Sequence, residues 1–190
     1  MEPIAGVEDE RLKLALTRSA QGDSLAFAEL VQEHQGMVFS IAYHFLRDRA
    51  LAEDLAQEVF LELYQGLDRI QSPAHLTYWL RRVTANRCID QGRSKQRRRE
   101  LALEDAPEPV TASHPADPLL LERLQQSLSG LPEKQRLMLI LRFQEGLGPA
   151  EIADVLAMPV NTVKSTLHRS LADLRRGLTR KIREVRYAFF

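Results

Sequence analysis

Residues 131–176 read LPEKQRLMLILRFQEGLGPAEIADVLAMPVNTVKSTLHRSLADLRR, and this stretch decides the fold of the C-terminal half of the chain. Its first segment has apolar residues at helical spacing and ends at Gly146. Pro149 begins a second, short helix, because a proline is tolerated in the first helical turn. Pro159 lies in the turn that follows, since proline cannot continue a helical hydrogen-bond ladder. The pattern therefore predicts three helices. The second is short, and a tight turn joins it to the longer third helix.

The last of these helices has one apolar and one polar face. From about Val160, the residues Val163 and Leu167 recur one turn apart and are predicted to be buried. The opposite face carries side chains that can bind phosphates and base edges: Asn161, Thr162, Lys164, Ser165, His168 and Arg169. This arrangement is typical of a helix-turn-helix that binds DNA. A plain three-helix bundle with a solvated basic face is the alternative.

The charge of the chain is zero overall but unevenly distributed. The 190 residues include 26 Lys and Arg against 26 Asp and Glu. Residues 81–99 carry eight basic residues and one acid, and residues 161–186 carry eight basic residues and two acids. Two basic blocks separated by acidic sequence indicate two contacts with nucleic acid.

Other classes of protein find little support in the sequence. Cys88 is the single cysteine, so no intramolecular disulfide can form, and the chain has no leader and no long apolar run. We therefore expect a cytoplasmic protein without membrane insertion. There is no Gly-rich phosphate loop, His-Glu-x-x-His or Gly-x-Ser-x-Gly motif, so we expect no enzyme, metal or cofactor.

The N-terminal part of the chain predicts three successive helices. The first ends near Gly22, and Asp23 caps a long second helix that passes Gly36, where it could bend. Asp48 caps the third. Every fourth residue of this third helix is apolar and faces the core: Leu51, Leu55, Val59 and Leu63.

The outer face of the third helix has an unusual composition. Asp54, Gln57, Glu58 and Leu61 fall at i, i+3, i+4 and i+7, which places them along one side. A partner-binding face would explain the acidic and amide side chains together with an exposed leucine. The residues alone also allow a solvated face, or a metal or acid–base site, although no Glu-x-x-His accompanies the carboxylates.

The basic helix that follows has its own core side, formed by Leu76, Trp79, Leu80 and Val83. Arg81, Arg82 and Asn86 take the other side. We interpret Trp79 as a packing residue rather than a base-stacking platform, leave Tyr78 open, and expect Cys88 to be a small buried residue. Gly92 is predicted to end this helix, so that residues 94–99 form a basic tail along a phosphate backbone.

Residues 101–118, LALEDAPEPVTASHPADP, contain four prolines and four acids but no Lys or Arg. This composition predicts an extended linker. The expected fold is therefore all-α, with two small helical domains, residues 1–100 and 119–190, joined by an acidic linker over residues 101–118. The second domain begins with a helix over residues 119–128 and contains the helix-turn-helix.

With these features in place, the chain resembles bacterial sigma factors of the extracytoplasmic-function group, the small two-domain initiation subunits of RNA polymerase. The resemblance rests on AEDLAQEVFLELYQGLDR at residues 52–69, YWLRRVTANRCID at residues 78–90, and LPEKQR with EIADVLAMPVNTVKSTLHRSLADLR at residues 131–136 and 151–175. It covers residues 12 to about 178 in the family's order.

The resemblance implies a role for each face. It implies polymerase docking through Asp54, Gln57, Glu58 and Leu61. It implies recognition and melting of the minus-10 element through Arg81, Arg82, Asn86 and Arg87, with Asn86 holding a flipped base. It implies minus-35 contacts through Lys164, Ser165, His168 and Arg169.

The resemblance also implies partners: core RNA polymerase, promoter DNA and an anti-sigma factor. The implied function is promoter-specific transcription initiation in a stress or envelope-signal response. The family usually has Gly at the positions of Ala157 and Asn161 and a basic residue at the position of Thr166. Because of Thr166 and His168, the resemblance does not specify the minus-35 sequence that this protein recognises. A stand-alone repressor would not need the acidic face, the second basic helix or the linker, and the aromatic end at residues 187–190 has no counterpart that we can interpret.

Overall fold

The structure is a computed structural model that describes residues 4–102, 128 and 130–188. For residues 4–6, 8, 95–102 and 177–188 it describes the backbone alone. All regular structure in these ranges is helical. The predicted all-α class is therefore confirmed for the described part of the chain.

The chain divides into two compact units, Met1–Gln91 and Gly92–Phe190. Most of the predicted linker and almost all of the predicted helix over residues 119–128 lie outside the described residues. The domain boundaries at residues 100 and 118 consequently stay predictions.

The first unit is built from long helices that pack side by side. In chain order they are α1 (Ile4–Ala20), α2 (Ser24–Leu46), α3 (Arg49–Gln65), a short 3-10 helix (Leu67–Arg69) and α4 (Pro73–Ala102), which runs on into the second unit. Helix α2 packs against both α1 and α3, and α1 also packs against the 3-10 helix.

Two predicted caps are confirmed. One carboxylate oxygen of Asp23 accepts hydrogen bonds from the N–H groups of Leu25 and Ala26, at 2.9 and 3.1 Å. Asp48 accepts from the N–H of Leu51 at 3.1 Å. Each cap satisfies N–H groups that the first turn of a helix leaves without a partner. Helix α2 then continues without interruption past Gly36.

The core of the first unit uses the apolar faces that the sequence predicts. The fully buried side chains include Leu30, Ile41, Phe45, Leu55, Val59, Leu63, Leu76 and Leu80. Cys88 is buried as expected, whereas Leu51, Trp79 and Val83 are only half-buried.

The prediction that Gly92 ends the basic helix is wrong, because α4 continues to Ala102. A glycine ends a helix most effectively when it adopts a left-handed backbone, and the described glycines with positive φ are Gly22 and Gly146. The penalty of about 1 kcal/mol for glycine in a helix interior is offset by the good helix formers around it, among them several Arg and Gln residues. The basic residues 94–99 therefore have a helical backbone.

The second unit contains α5 (Glu133–Phe143), α6 (Pro149–Val155) and α7 (Val160–Ala188). The predicted interruptions are confirmed: Gly146 has φ +69° and Ala157, in the turn after α6, has φ +50°. The N–H of Gly148 donates to Glu151 Oε2 at 2.7 Å and so closes the first turn of α6. The buried side chains of this unit include Leu137, Met138, Leu141, Ile152, Ala153 and Val163.

Helices α5 and α7 are also joined by a polar contact. The Ser170 hydroxyl donates to Gln135 Oε1 at 3.2 Å, and Ser170 is buried. This hydrogen bond satisfies a hydroxyl that would otherwise be buried without a partner. It helps to hold α7 in a fixed rotation, with its polar face turned outward.

Candidate functional site

The four residues predicted for partner binding form one surface on α3. Asp54, Gln57, Glu58 and Leu61 are all exposed, and they line an open surface depression of about 540 Å³. Their helix turns its opposite side, with Leu55, Val59 and Leu63, into the core. We call these four residues the acidic row.

The acidic row has an apolar end. The side chain of Leu61 is 59% exposed, and that of Tyr64, one turn further along α3, is 54% exposed. The Tyr64 ring contacts the Phe27 ring of α2 edge-on, with centroids 5.1 Å apart. Sequence reasoning missed Tyr64, although its spacing of three residues from Leu61 was the available signal.

The carboxylates of the row are not arranged as a metal site. Among the described residues, no group of three or more His, Cys, Asp and Glu side chains could hold a metal ion. The row can therefore offer hydrogen-bond acceptors, negative charge and one aliphatic contact to a partner surface.

On α4, the structure brings two of the four predicted DNA-binding residues together. Arg82 and Asn86 are exposed and lie one turn apart on the same face. Arg82 Nη1 donates to the Tyr78 hydroxyl at 3.2 Å, which holds the guanidinium along the helix. Arg81 is half-buried, and its Nε hydrogen-bonds no other atom of the described residues.

The remaining residue of that set, Arg87, faces α3. Its Nη2 donates to Glu62 Oε2 at 2.8 Å, and its Nη1 lies 3.6 Å from Glu58 Oε2. The hydrogen bond that Arg87 donates to Glu62, together with the charges of the nearby carboxylates, raises the pKa of Arg87 above its usual range. Sequence reasoning did not single out Glu62, because nothing local distinguishes it from a solvated glutamate.

On α7, the polar face is exposed as predicted. Asn161, Thr162, Lys164, Ser165, His168 and Arg169 are all exposed, while Val163 and Leu167 are buried beneath them. The Ser165 hydroxyl donates to the Thr162 carbonyl at 3.1 Å, and Arg169 Nε donates to the Ser165 carbonyl at 3.3 Å. These local contacts keep both side chains close to the helix surface.

Thr166 differs from its neighbours because it is 8% exposed and belongs to the core side of α7. It lies four residues before the buried Ser170, on the same stripe of the helix. The side chain that replaces the family's basic residue at this position is therefore turned towards the core, and the minus-35 sequence stays open.

Along the part of the chain that the structure describes, none of the helices combines the length and the apolar character needed to cross a membrane.

Two family models match the chain in order. The model of sigma-70 region 2 matches residues 15–98, which include α2, α3 and most of α4. The model of sigma-70 region 4 matches residues 121–174, which include the helix-turn-helix. The acidic row and the α4 residues thus lie in the first match, and the polar face of α7 lies in the second.

Similar proteins are known from several bacteria. The ECF RNA polymerase sigma factor SigW of Bacillus subtilis is 31% identical, over 88% of this chain and 96% of its own length. An RNA polymerase sigma-E factor of Streptomyces avermitilis is 33% identical, over 84% of this chain and 88% of its own length.

Two solved structures share the fold. The structure of CnrH in complex with the cytosolic domain of CnrY has a TM-score of 0.67 at 23% identity, covering 89% of this chain and 97% of that one. The sigma factor RpoE of Bartonella quintana, crystallised with the anti-sigma factor NepR, has a TM-score of 0.66 at 23% identity, covering 80% and 96%.

The chain is 31% and 33% identical to two relatives of nearly its own length, and it matches the two sigma-70 regions one after the other. The chain belongs to the extracytoplasmic-function family of RNA polymerase sigma factors.

Proposed function

We propose that this sigma factor docks on core RNA polymerase through the acidic row of α3 and directs the enzyme to promoters that α4 and α7 recognise. The observation that carries the proposal is the exposure of Asp54, Gln57, Glu58 and Leu61 as one continuous surface. Sigma factors are regulators of transcription, and we place this one in the cytoplasm, acting in a stress or envelope-signal response.

The chemistry of the acidic row indicates what the polymerase surface must offer. Carboxylates that are exposed to solvent attract a basic surface and increase the rate and orientation of encounter. Leu61 adds apolar area at the end of the row, where burial against a partner stabilises the complex once it has formed. The matching surface is therefore basic with an aliphatic or aromatic contact.

The minus-10 element is the natural target of the exposed face of α4. The Tyr78 hydroxyl that hydrogen-bonds Arg82 is a neutral group, so the guanidinium keeps its positive charge for a phosphate. Asn86, one turn along, presents an amide that can hydrogen-bond an unstacked base. Arg81 lies at the edge of this face and would support a phosphate from the side.

The minus-35 element is assigned to α7. Lys164 and Arg169 supply positive charge, and Ser165 and His168 supply hydrogen-bonding groups, all within the first three turns of the helix. The first turns of a recognition helix are the part that reaches base edges in the major groove. The buried Val163 and Leu167 fix the rotation of this face.

An anti-sigma factor is the further partner that we propose. The Bartonella quintana RpoE structure contains the anti-sigma factor NepR, and the CnrH structure contains the cytosolic domain of CnrY. A protein inhibitor of this chain would keep its polymerase-binding or DNA-binding faces covered until a signal releases it.

Retention of the chain by purified core polymerase tests the docking proposal. We choose Asp54→Lys, because Asp54 forms none of the ion pairs among the described residues and its loss leaves the contacts of Arg87 in place. Asp9→Lys is the matched control: the same charge reversal on an exposed residue of α1 that likewise forms none of the ion pairs among the described residues. Both variants should fold, since surface substitutions usually change stability by about 0.5 kcal/mol or less.

We expect core polymerase to retain the wild-type chain and Asp9→Lys and to lose Asp54→Lys. If the wild-type chain is not retained, or if Asp54→Lys is retained equally well, the acidic row is a solvated face. Only in the first case, when polymerase does not retain the wild-type chain, would a stand-alone DNA-binding regulator be the better description of this protein.

A further inference from the structure

The guanidinium of Arg87 is held between two carboxylates of the neighbouring helix. Glu58 and Glu62 lie one turn apart on α3, and Arg87 points one nitrogen at each of them, at 3.6 and 2.8 Å. All three side chains are partly exposed, between 41% and 53%. Because the shorter contact is a charge-assisted hydrogen bond, Glu62 is the main anchor of Arg87.

The position of Arg87 on α4 separates it from the other predicted DNA-binding residues. Arg82 and Asn86 are four residues apart and share one face. Arg87 follows Asn86 directly, so its side chain leaves the helix about 100° further around. That rotation brings it to α3.

The charges around Arg87 oppose a phosphate contact. The two negative charges of Glu58 and Glu62 exceed the single positive charge of Arg87. The carboxylate of Asp90 also lies near enough to interact with Arg87. An incoming phosphate would therefore meet a site whose net charge is negative. At Arg82, in contrast, the hydrogen-bonding partner is a phenol, and the positive charge is not cancelled by that contact.

We propose that Arg87 does not contact the promoter but forms a salt bridge with Glu62 that fixes α4 against α3, and we call this salt bridge the tie. Glu62 is then a positioning residue. By holding Arg87, Glu62 would set the placement of the acidic row relative to the DNA-facing residues Arg82 and Asn86. The inference rests on the proposed function, because that function gives the two helices their separate partners.

Exchanging the two charges distinguishes a tie from a phosphate contact. Glu62→Arg, Arg87→Glu and the double variant are each assembled with core polymerase, and promoter binding is measured by fluorescence anisotropy. If the two residues form a tie, each single variant should bind promoter DNA about fivefold more weakly, and the double variant should return to within about twofold of wild type. If position 87 contacts a phosphate, the carboxylate placed there repels DNA in the double variant too, and the double variant stays defective.

A salt titration provides a second test with truncations that leave the acidic row intact. Arg82→Ala should lower the slope of log affinity against log salt concentration by about one, as expected for the loss of one phosphate contact. Arg87→Ala should leave that slope unchanged. A fall of about one for Arg87→Ala, or a double variant without recovery, would overturn the tie.

The two proposals fail in different ways. If core polymerase does not retain the wild-type chain, the docking proposal is wrong, whatever Arg87 does. If the wild-type holoenzyme forms and Asp54→Lys abolishes it, but Arg87→Ala lowers the salt slope, only the tie is wrong. Gel filtration of each variant with core polymerase before the DNA measurement separates these cases.

Discussion

The imidazole Nε2 of His34 lies 3.3 Å from the Thr77 hydroxyl oxygen, and this contact links α2 to the start of α4 across 43 residues of sequence. His34 is buried, and its other nitrogen, Nδ1, donates to the Leu30 carbonyl at 3.0 Å. The Thr77 hydroxyl can donate its single proton either to His34 Nε2 or to the Pro73 carbonyl, whose oxygen is 3.1 Å away. Each ring nitrogen of the buried His34 side chain thus has a polar partner within the first unit.

Thr77→Val tests the importance of this contact, since it removes the hydroxyl but nearly preserves the shape of the side chain. His34 Nε2 would then face a methyl group, and we expect the first unit to lose about 1–3 kcal/mol of stability. Urea denaturation followed by the fluorescence of Trp79, the single tryptophan, reports on this unit. Thr17→Val is the control, because Thr17 makes the same hydroxyl-to-carbonyl bond four residues back but is exposed. Equal effects at the two positions would show that the His34 contact adds nothing.

The N-cap residue of α2, Asp23, predicts that the stability of the fold depends on pH in the acidic range. Hydrogen bonds from the Ala26 N–H and from Arg18 hold the pKa of Asp23 below its ordinary value of 3.8. Since the pKa is lower in the folded state, the stability from this carboxylate is fully present above 3.8 and is lost as the pH falls through the folded pKa.

The difference in thermal midpoint between wild type and Asp23→Ala should therefore be largest near neutral pH and should shrink as the pH approaches about 2. Trp79 fluorescence during heating gives both midpoints. A difference that stays constant over this range would mean that the charge of Asp23 does not stabilise the fold.

The turn between α6 and α7 holds Ala157 in a left-handed conformation, with φ +50°. This conformation costs an L-residue about 1–2 kcal/mol, whereas glycine adopts it readily but loses more chain entropy on folding. We expect Ala157→Gly to stabilise the second unit by about 0.5–1 kcal/mol. Ala150→Gly, in α6, should instead destabilise it by a similar amount. Thermal unfolding followed by circular dichroism compares the two, and a loss of stability at both positions would contradict the explanation.

On α7, Arg169→Ala separates base recognition from phosphate binding. If Arg169 contacts a base edge, its loss should weaken binding to the preferred minus-35 duplex by about 1–3 kcal/mol and relax the preference for that sequence. Arg176→Ala is the control, because Arg176 is exposed further along α7 and is paired with Asp173. Anisotropy with a set of duplexes measures both effects. A uniform loss on all duplexes would make Arg169 a phosphate contact, and no loss at all would remove it from the interface.

Local patterns predicted the helix termini of this protein well. Asp23 and Asp48 cap their helices, Gly146 adopts the left-handed backbone, and Pro149 begins α6. These features depend on a few neighbouring residues, which the sequence contains in full. The exposed faces of α3 and α7 were also predictable, because the helical period alone decides which side chains share a side.

One error came from a position where local signals compete. Gly92 was expected to end a helix, but the helix formers around it outweigh its penalty. Thr166 was noted only as a departure from the family's basic residue, and its spacing from Ser170 places it on the buried side of α7.

The sequence by itself determined which helices form, where most of them end and which of their faces stay exposed. Only the tertiary structure decided which side chains of different helices meet: His34 with Thr77, Tyr64 with Phe27, and Arg87 with Glu62. The physical reason is that such pairs depend on how two helices cross, and the crossing results from packing of the whole core rather than from any local pattern.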